Sequence, residues 1–532
     1  MARNRRPGEQ APPPTRGPTE TTLHTLLLAR RFRAAAGGER VAQNLVAHGA
    51  EVGPDAAAWI GDGTPPREAP SLSLGPFPGS LGPHSYGFLN NADAVAALDL
   101  PRIERLPPVG SLGVVVTTRA ALPDLIPLFC ARELPISWII SVGDGDPSEV
   151  ISFLSEDAGT DAIALALGPG TRAAGLRESL GAKPCVVLGG DAVDRAVARR
   201  AGAHVVDRIG EWIALAALLG TGASVDAPLE IWVSGGGLAW VKTEAERYAL
   251  AAAVTHLEES NPDALHQALE QAQPPRSIVV VGATLPDERE LRAELAEGVA
   301  LMRVDTRQPE QVSRLLKALA RERAHRRAET AQTVAAPLRA FDPDMVTRVR
   351  AETEGTLNDH DCKRLLKAWG LKVTRQAPTG TPTGAVKVAR LIDLPVMLAR
   401  GDDERLAESL PEVRRIAGLL LEQESEEPRS VMIRERFPDA PRTRVKITAE
   451  RGVGLLMRIG DSIALLPLDE AESLRLAQHT GARRSADQRA VAAVLASIGA
   501  AAIAESAVFD LELYVGAEPV VLRASGSLRR AP

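Results

Sequence analysis

The sequence predicts an α/β protein: two successive doubly wound parallel-sheet domains followed by a smaller α+β domain. Three observations predict it. Residues 112–222 alternate continuous apolar strands with helical stretches, residues 226–325 repeat that scheme, and beyond about 345 the apolar positions fall into period two. Unbroken apolar strands are those buried on both faces, which requires helices on either side of a parallel sheet. Period two marks strands with one wet face, as in antiparallel sheets.

In the first unit LGVVVTT, ISWIISVG, DAIALALG, KPCVVLGG and AHVVD are strands. The helices between them cover Ala120 to Arg132, PSEVISFLSED, RAAGLRESLG and DAVDRAVARRAG, and IGEWIALAALLG closes the unit. In the second unit LEIWVSGGG is a strand, residues 239–259 are helical, SIVVVGAT and VALMRVD are strands, and DERELRAELAEG and a long charged segment from Pro309 are helices. The C-terminal part has helices over 356–371, 382–392, 468–480 and 485–500. Its strands are KVTRQAP, PVMLAR, SVMIRERF, TRVKITAE, VGLLMRI, SIALLPL, LELYVG and PVVLRA. Ahead of all this, residues 1–20 are rich in Pro, Arg and Gly and read as a disordered tail. Leu23 to Arg33 carry a short helical pattern, polar sequence continues to about Pro83, and regular structure is expected from near Pro108.

At 532 residues the chain has room for three or four domains of about 150 residues each. Aromatics are 3%, too few for a base-stacking surface, and the net charge is −6 with basic residues spread along the chain, so no nucleic-acid partner is expected. Eight Lys stand against 54 Arg, which leaves few candidates for any lysine-dependent chemistry. Cys130, Cys185 and Cys362 match no disulfide or zinc spacing and fit a reducing cytoplasm. No apolar run of about 18 residues and no signal-peptide core are seen, so no membrane partner is expected.

Four stretches, in order, resemble the NDP-forming acyl-CoA synthetases, which include ADP-forming acetate–CoA ligase and are related to succinyl-CoA synthetase. GPHSYGFLN at 82–90 is similar to that family's GPNxxGxxN segment, and SVGDGDPSEVISFLSEDAGTDAIALAL at 141–167 to its SxGNxxD…DxxTxxI segment. KPCVVL at 183–188 is the third, and TLNDHDCKRLLKAWGLKVT at 356–374 with PVMLAR at 395–400 the fourth. The resemblance implies a truncated CoA-binding Rossmann-like region over 21–107 and flavodoxin-like domains over 108–224 and 225–329. After a linker at 330–344 it implies an ATP-grasp-like domain over 345–532.

Enzymes of that family relay a phosphoryl group through a histidine, which sits in a Gly/Ser-rich loop after the strand corresponding to KPCVVL. Here KPCVVLGG runs directly into DAVDRAVARRAG and the loop is missing. His204 is the nearest histidine, and its place in AGAHVV favours a structural role. The chain shows no Gly-rich Rossmann turn: Gly37-Gly38 and Gly61-Asp62-Gly63 read as loop glycines. Arg119 stands where the family has a Ser-Gln-Ser-Gly turn, either as a phosphate contact or as a solvated residue. Gly235, Gly236 and Gly237 form either an anion-binding nest or a tight strand-to-helix turn. Ala399 occupies the position of the family's nucleotide-binding lysine, with Arg400 next to it keeping the charge. Asp510 and Glu512 map onto the family's metal pair; metal binding and solvent-facing acids on an edge strand both fit them.

These coincident losses imply an acyl-CoA synthetase-like protein without catalysis, acting as a scaffold for a protein partner or for its own copies. An active ligase completed by another subunit, or a regulator binding CoA or nucleotide without turnover, are the alternatives. ATP, CoA and Mg would serve as cofactors only if binding persists.

Overall fold

Two compact units, Met1–Arg327 and Ala328–Pro532, make up the chain in the computed structural model. The structure describes residues 23–528 except 24, 36, 57, 63–69, 75–79, 118–121, 133, 145, 169–174, 182, 221–227, 235–236, 258–275, 282–298, 305–309, 311, 321–340, 354, 402, 424–429 and 438–440. The expected tail at 1–20, the expected helix DERELRAELAEG at 287–298 and most of the expected linker lie outside the described residues.

Regular structure begins much earlier than Pro108. Four parallel strands, β1 (Arg31–Ala34), β2 (Glu51–Val52), β3 (Ala58–Gly61) and β4 (Ser71–Ser73), form a sheet of order β2-β1-β3-β4. Gly37-Gly38, read above as loop glycines, join β1 to helix α1 (Glu39–Ala47) in a strand–turn–helix unit. The strand was hidden because in Arg-Phe-Arg-Ala only Phe32 is buried, so its two arginines read as solvent-facing sequence.

The next sheet runs β11-β10-β9-β7-β8-β5-β6. Its five parallel strands are β7 (Val109–Val116), β8 (Ile136–Ser141), β9 (Ala162–Leu167), β10 (Cys185–Gly189) and β11 (His204–Val206). Counted from β7, their order is 5-4-3-1-2, a doubly wound arrangement with its topological switch between β7 and β9. Helices α2 (Leu122–Ala131), α3 (Ser148–Glu156), α4 (Leu176–Ser179), α5 (Ala192–Arg200) and α6 (Ile209–Leu219) connect and close it. Strands β5 (Gly87–Asn90) and β6 (Val95–Leu98) form a hairpin that adds antiparallel to β8, so GPHSYGFLN belongs to this sheet.

A third parallel sheet has the order β13-β12-β14-β15, built from β12 (Leu229–Ser234), β13 (Ala252–Leu257), β14 (Arg276–Val281) and β15 (Val299–Val304). Residues 239–259 are therefore not one helix: α7 (Leu238–Arg247) stops, and Ala-Ala-Val-Thr-His-Leu crosses back as a strand beside β12. Alanines, the best helix formers, disguised it, and pairing in the sheet overrides their propensity. Leu229, Ile231 and Val233 share one buried cluster with Val114, Val116 and Trp212 of the preceding sheet.

The C-terminal unit holds two antiparallel sheets. The larger runs β16-β25-β24-β21-β22-β23, from β16 (Thr356–Leu357), β21 (Arg442–Glu450), β22 (Gly454–Ile459), β23 (Ser462–Leu465), β24 (Ala507–Tyr514) and β25 (Val520–Leu528). One face packs on helices over Pro343–Glu352, Asp359–Ala368, Glu470–Gln478 and Ser485–Ala504, with Phe509, Leu511, Leu365, Leu476 and Leu495 in the core. The last helix is long and apolar enough to pass for a membrane span, which the sequence reading missed, but ten of its residues are buried, six of them in this core. The smaller sheet, β17-β20-β18-β19, comprises β17 (Gln376–Thr379), β18 (Val396–Arg400), β19 (Asp403–Ala407) and β20 (Val431–Glu435). Helices Pro382–Ile392 and Leu410–Glu422 cover one face of it.

Candidate functional site

The connection between β10 and α5 spans only Gly190 and Asp191. Gly189 and Gly190 have φ of 80° and 73°, a region open to glycine at little cost. A Cβ on Gly189 would stand 2.4 Å from the Leu167 carbonyl oxygen, so the backbone passes where no side chain fits. Asp191 then caps the helix, its carboxylate accepting from the Val193 and Asp194 amides at 2.7 and 2.9 Å, while the Asp191 amide donates to Asp194 at 3.1 Å. This capping box satisfies the first-turn donors locally. The turn is complete in itself and carries no histidine.

The segments that suggested the family also have structural work. Lys183, which opens KPCVVL, donates to the Leu154 and Asp157 carbonyls at 2.7 and 2.6 Å, a cation at the C-terminus of α3. GPHSYGFLN and SVGDGDPSE clasp one another. Ser85 Oγ donates to the Ser141 carbonyl, the Tyr86 amide to Ser141 Oγ at 3.0 Å, and the Asp144 amide to the Pro83 carbonyl at 3.0 Å. Asn91 donates to the carbonyls of Pro107, Pro108 and Ile136, tying the hairpin to the parallel strands.

The open face of the larger C-terminal sheet, with Arg434 of the smaller one, lines a cleft of about 580 Å³. Period two places Arg442, Arg444 and Lys446 of β21 on that face, opposite Tyr514, Glu512 and Asp510 of β24, with Arg523 of β25 beside Glu512. Arg434 enters from β20. Arg444 makes a two-pronged contact with Asp510 at 2.7 and 2.5 Å. Glu512 is held by Arg442 at 3.3 Å and Arg523 at 3.5 Å, and Glu404 of β19 by Arg523 at 2.7 Å and Arg434 at 2.9 Å. Arg444 also holds the Asp510 carboxyl below the usual carboxylate range.

At one end of the cleft lies a polar knot around the buried Lys363. Asp359 accepts from Lys363 Nζ at 3.0 Å, Gln376 Nε2 at 2.8 Å and the Ala524 amide at 2.8 Å, and pairs with Arg434 at 3.9 Å. Lys363 is 3% exposed and also donates to Gln376 Oε1 at 2.6 Å. Burial pushes its ammonium down to about 8, against the pull of Asp359. Burial alone would raise Asp359, but Lys363 and the hydrogen bonds hold it below its ordinary value.

His204 is buried at the start of β11, an edge strand, and is 5% exposed. Arg119, Gly235 and Gly236 lie outside the described residues, and Gly237 is the residue from which α7 starts. Arg400 does not face the cleft. It is buried on the helical side of β18, donating to the Leu420 and Gln423 carbonyls at 2.6 and 2.8 Å, while Met397 on the same strand lines a neighbouring pocket that shares Arg434 and Arg523 with the cleft. Alternation along the strand turns neighbours to opposite faces, so Arg400 cannot stand in for a lysine at position 399. Asp510 and Glu512 do share a face, but β24 is an inner strand between β21 and β25, not an edge. Among the described residues no group of three or more His, Cys, Asp or Glu is disposed to hold a metal ion. Arg434, Arg442, Arg444 and Arg523 went unrecognised; the Arg-x-Arg-x-Lys alternation in RTRVKITAE was the available signal.

No protein-family model matches the chain, and no curated protein matches it. Among solved structures, it is similar to the dinucleotide-forming acetyl-coenzyme A synthetase 1 of Ca. Korarchaeum cryptofilum in complex with coenzyme A and acetyl-coenzyme A. The identity is 18%, covering 35% of this chain and 99% of that one, with a TM-score of 0.31. The same organism's synthetase in complex with phosphate and ADP is 13% identical over 58% of this chain and 99% of that one, TM-score 0.41. A protein of Pyrococcus horikoshii OT3 is 13% identical over 57% of this chain and 99% of that one, TM-score 0.42. Likeness at this level assigns neither the fold nor an activity.

Proposed function

We propose that this chain is a non-catalytic relative of the NDP-forming acyl-CoA synthetases, working by binding a protein partner or a second copy of itself. Four sequence segments in family order support the kinship. The observation that carries the loss of catalysis is the closed connection after β10: a phosphoryl relay needs a nucleophilic imidazole on a loop that can move between two sites, and here two residues with their own caps join strand to helix. The nearest histidine, His204, is packed inside a strand. A cytoplasmic location, with neither nucleic acid nor membrane as partner, belongs to the same reading.

The arginine-lined cleft favours a second reading, in which the C-terminal unit binds a ligand without turning it over. An assay of nucleotide-dependent CoA ligation with a panel of acids decides about catalysis. The proposal expects no turnover above a protein-free control, and turnover that His204→Ala abolishes would overturn it.

A further inference from the structure

An open sheet ends in two strands whose outer amide and carbonyl groups lack a neighbour, and such edges recruit further strands unless something blunts them. Most edges of this protein are blunted. β2 and β16 are two residues long, β4 and β11 three, and β23 stops after four. β6 is buried along its whole length. β17 contains Pro378, β19 carries Asp403, Glu404 and Arg405, and β15 contains Arg303.

β13 has none of these safeguards. Ala-Ala-Val-Thr-His-Leu runs for six residues without Pro, Asp, Glu, Lys or Arg at one end of the sheet β13-β12-β14-β15. Among the described residues it pairs with β12 alone, in unbroken parallel register from Ala252↔Leu229 to Leu257↔Ser234. The backbone groups on its far side have no partner there. Ala253, Thr255 and His256 are exposed. Ala252 and Val254 pack against the buried cluster of this sheet and are only partly covered, as in an apolar layer that ends with no next strand.

We infer that β13 pairs antiparallel with β13 of a second copy of this chain, joining two four-stranded sheets into one of eight. A two-fold axis makes the contact self-complementary, since each strand brings the same donors and acceptors. The two copies meet without like-charge repulsion, because neither strand carries a charged residue. That absence of charge also leaves a foreign partner little side-chain chemistry to recognise. The symmetric pair closes on itself, whereas β13 laid against β15 of the next copy would leave a free edge at each end and grow filaments. The inference deepens the reading that the chain works by association, and rests on it for the role of the dimer.

The test is sedimentation velocity on the full-length protein over a concentration series, in which the parent should reach twice the chain mass and go no further. Ala253 and Thr255, two residues apart, share one face of the strand. Ala253→Lys/Thr255→Lys and Ala253→Glu/Thr255→Glu should each run as monomers, because like charges then face one another across the axis. Mixed in equal amounts, the two variants should form a dimer, a result that loss of folding does not produce. Thr255→Lys alone keeps the test sound if the double variants fold poorly. Its thermal midpoint should stay near that of the parent while its dimer dissociation constant rises about threefold or more. A monomeric parent, assemblies that grow beyond the dimer, dimers that survive both double substitutions, or an unchanged constant in Thr255→Lys would overturn the inference. Turnover in a ligation assay would overturn the non-catalytic reading and alter none of these masses, so the two failures are told apart.

Discussion

Removing the Asp359 carboxylate should destabilise the C-terminal unit sharply, and removing Lys363 with it should repair most of the damage. In Asp359→Ala the Lys363 ammonium, 3% exposed, loses its ion partner and keeps only Gln376 Oε1 at 2.6 Å. Gln376 and the Ala524 amide lose their acceptors, and Arg434 one of its ion partners. Breaking a buried pair from one side costs about 3–5 kcal/mol, because the surviving charge has neither water nor a counter-ion. For a unit of about 200 residues, at roughly 2–4 °C per kcal/mol, the unfolding midpoint should fall by about 6–20 °C. Replacing both members with apolar residues leaves no stranded charge, so Asp359→Ala/Lys363→Met should recover most of that loss. Scanning calorimetry of the full-length protein and the variants measures each midpoint. If the double variant unfolds as early as Asp359→Ala alone, or the single variant within a degree or two of the parent, the buried charge pair does not hold this unit together.

The same lysine sets a pH dependence. Its folded pKa, about 8, lies below the ordinary 10.5, so between those values the unfolded chain holds more protons, and stability from this group rises with pH across that window; Lys363→Met should flatten the rise in a pH series of denaturant midpoints. Asp510 has the opposite sign: its folded pKa is depressed by Arg444, so its contribution is present above the ordinary carboxylate range and fades as pH falls through the folded value, a trend that Asp510→Asn should remove. Gly189→Ala should destabilise more than Gly190→Ala, because both hold an alanine in the left-handed region at about 1–2 kcal/mol but only the first drives a Cβ within 2.4 Å of a backbone oxygen. Asp191→Ala should cost about 1 kcal/mol through loss of the helix cap, seen as a lower thermal midpoint.

Periodicity located most of the buried strands and failed where sheet context, not local pattern, decides. Val-Val-Val in β7 and Ile-Ile in β8 are legible because both faces are covered. β1 shows one buried side chain and β13 opens on two alanines, so neither carries an apolar run strong enough to be seen, and pairing with a longer neighbour defines both. β19 and the helix Leu410–Glu422 are absent from the sequence-based expectation, and of Asp-Glu-Arg-Leu-Ala only Ala407 is buried, so β19 carries no apolar run. Strand alternation also decides which residues form a site. It carries Arg400 to the helical side and Met397 to the pocket beside the cleft, a distinction invisible until the register is known. Of the cleft arginines, those of β21 and β25 are far apart in sequence and are brought to either side of β24 by sheet order, while Arg434 comes from β20 of the other sheet.

The claim on which the account depends is that no side chain here accepts a phosphoryl group. Incubation of the full-length protein with γ-labelled ATP and GTP, and separately with a labelled acyl phosphate, followed by alkaline denaturation to preserve phosphohistidine, measures it directly. The account predicts no protein-bound label above that of a His204→Ala control. Stoichiometric, acid-labile label that disappears in that variant would contradict it.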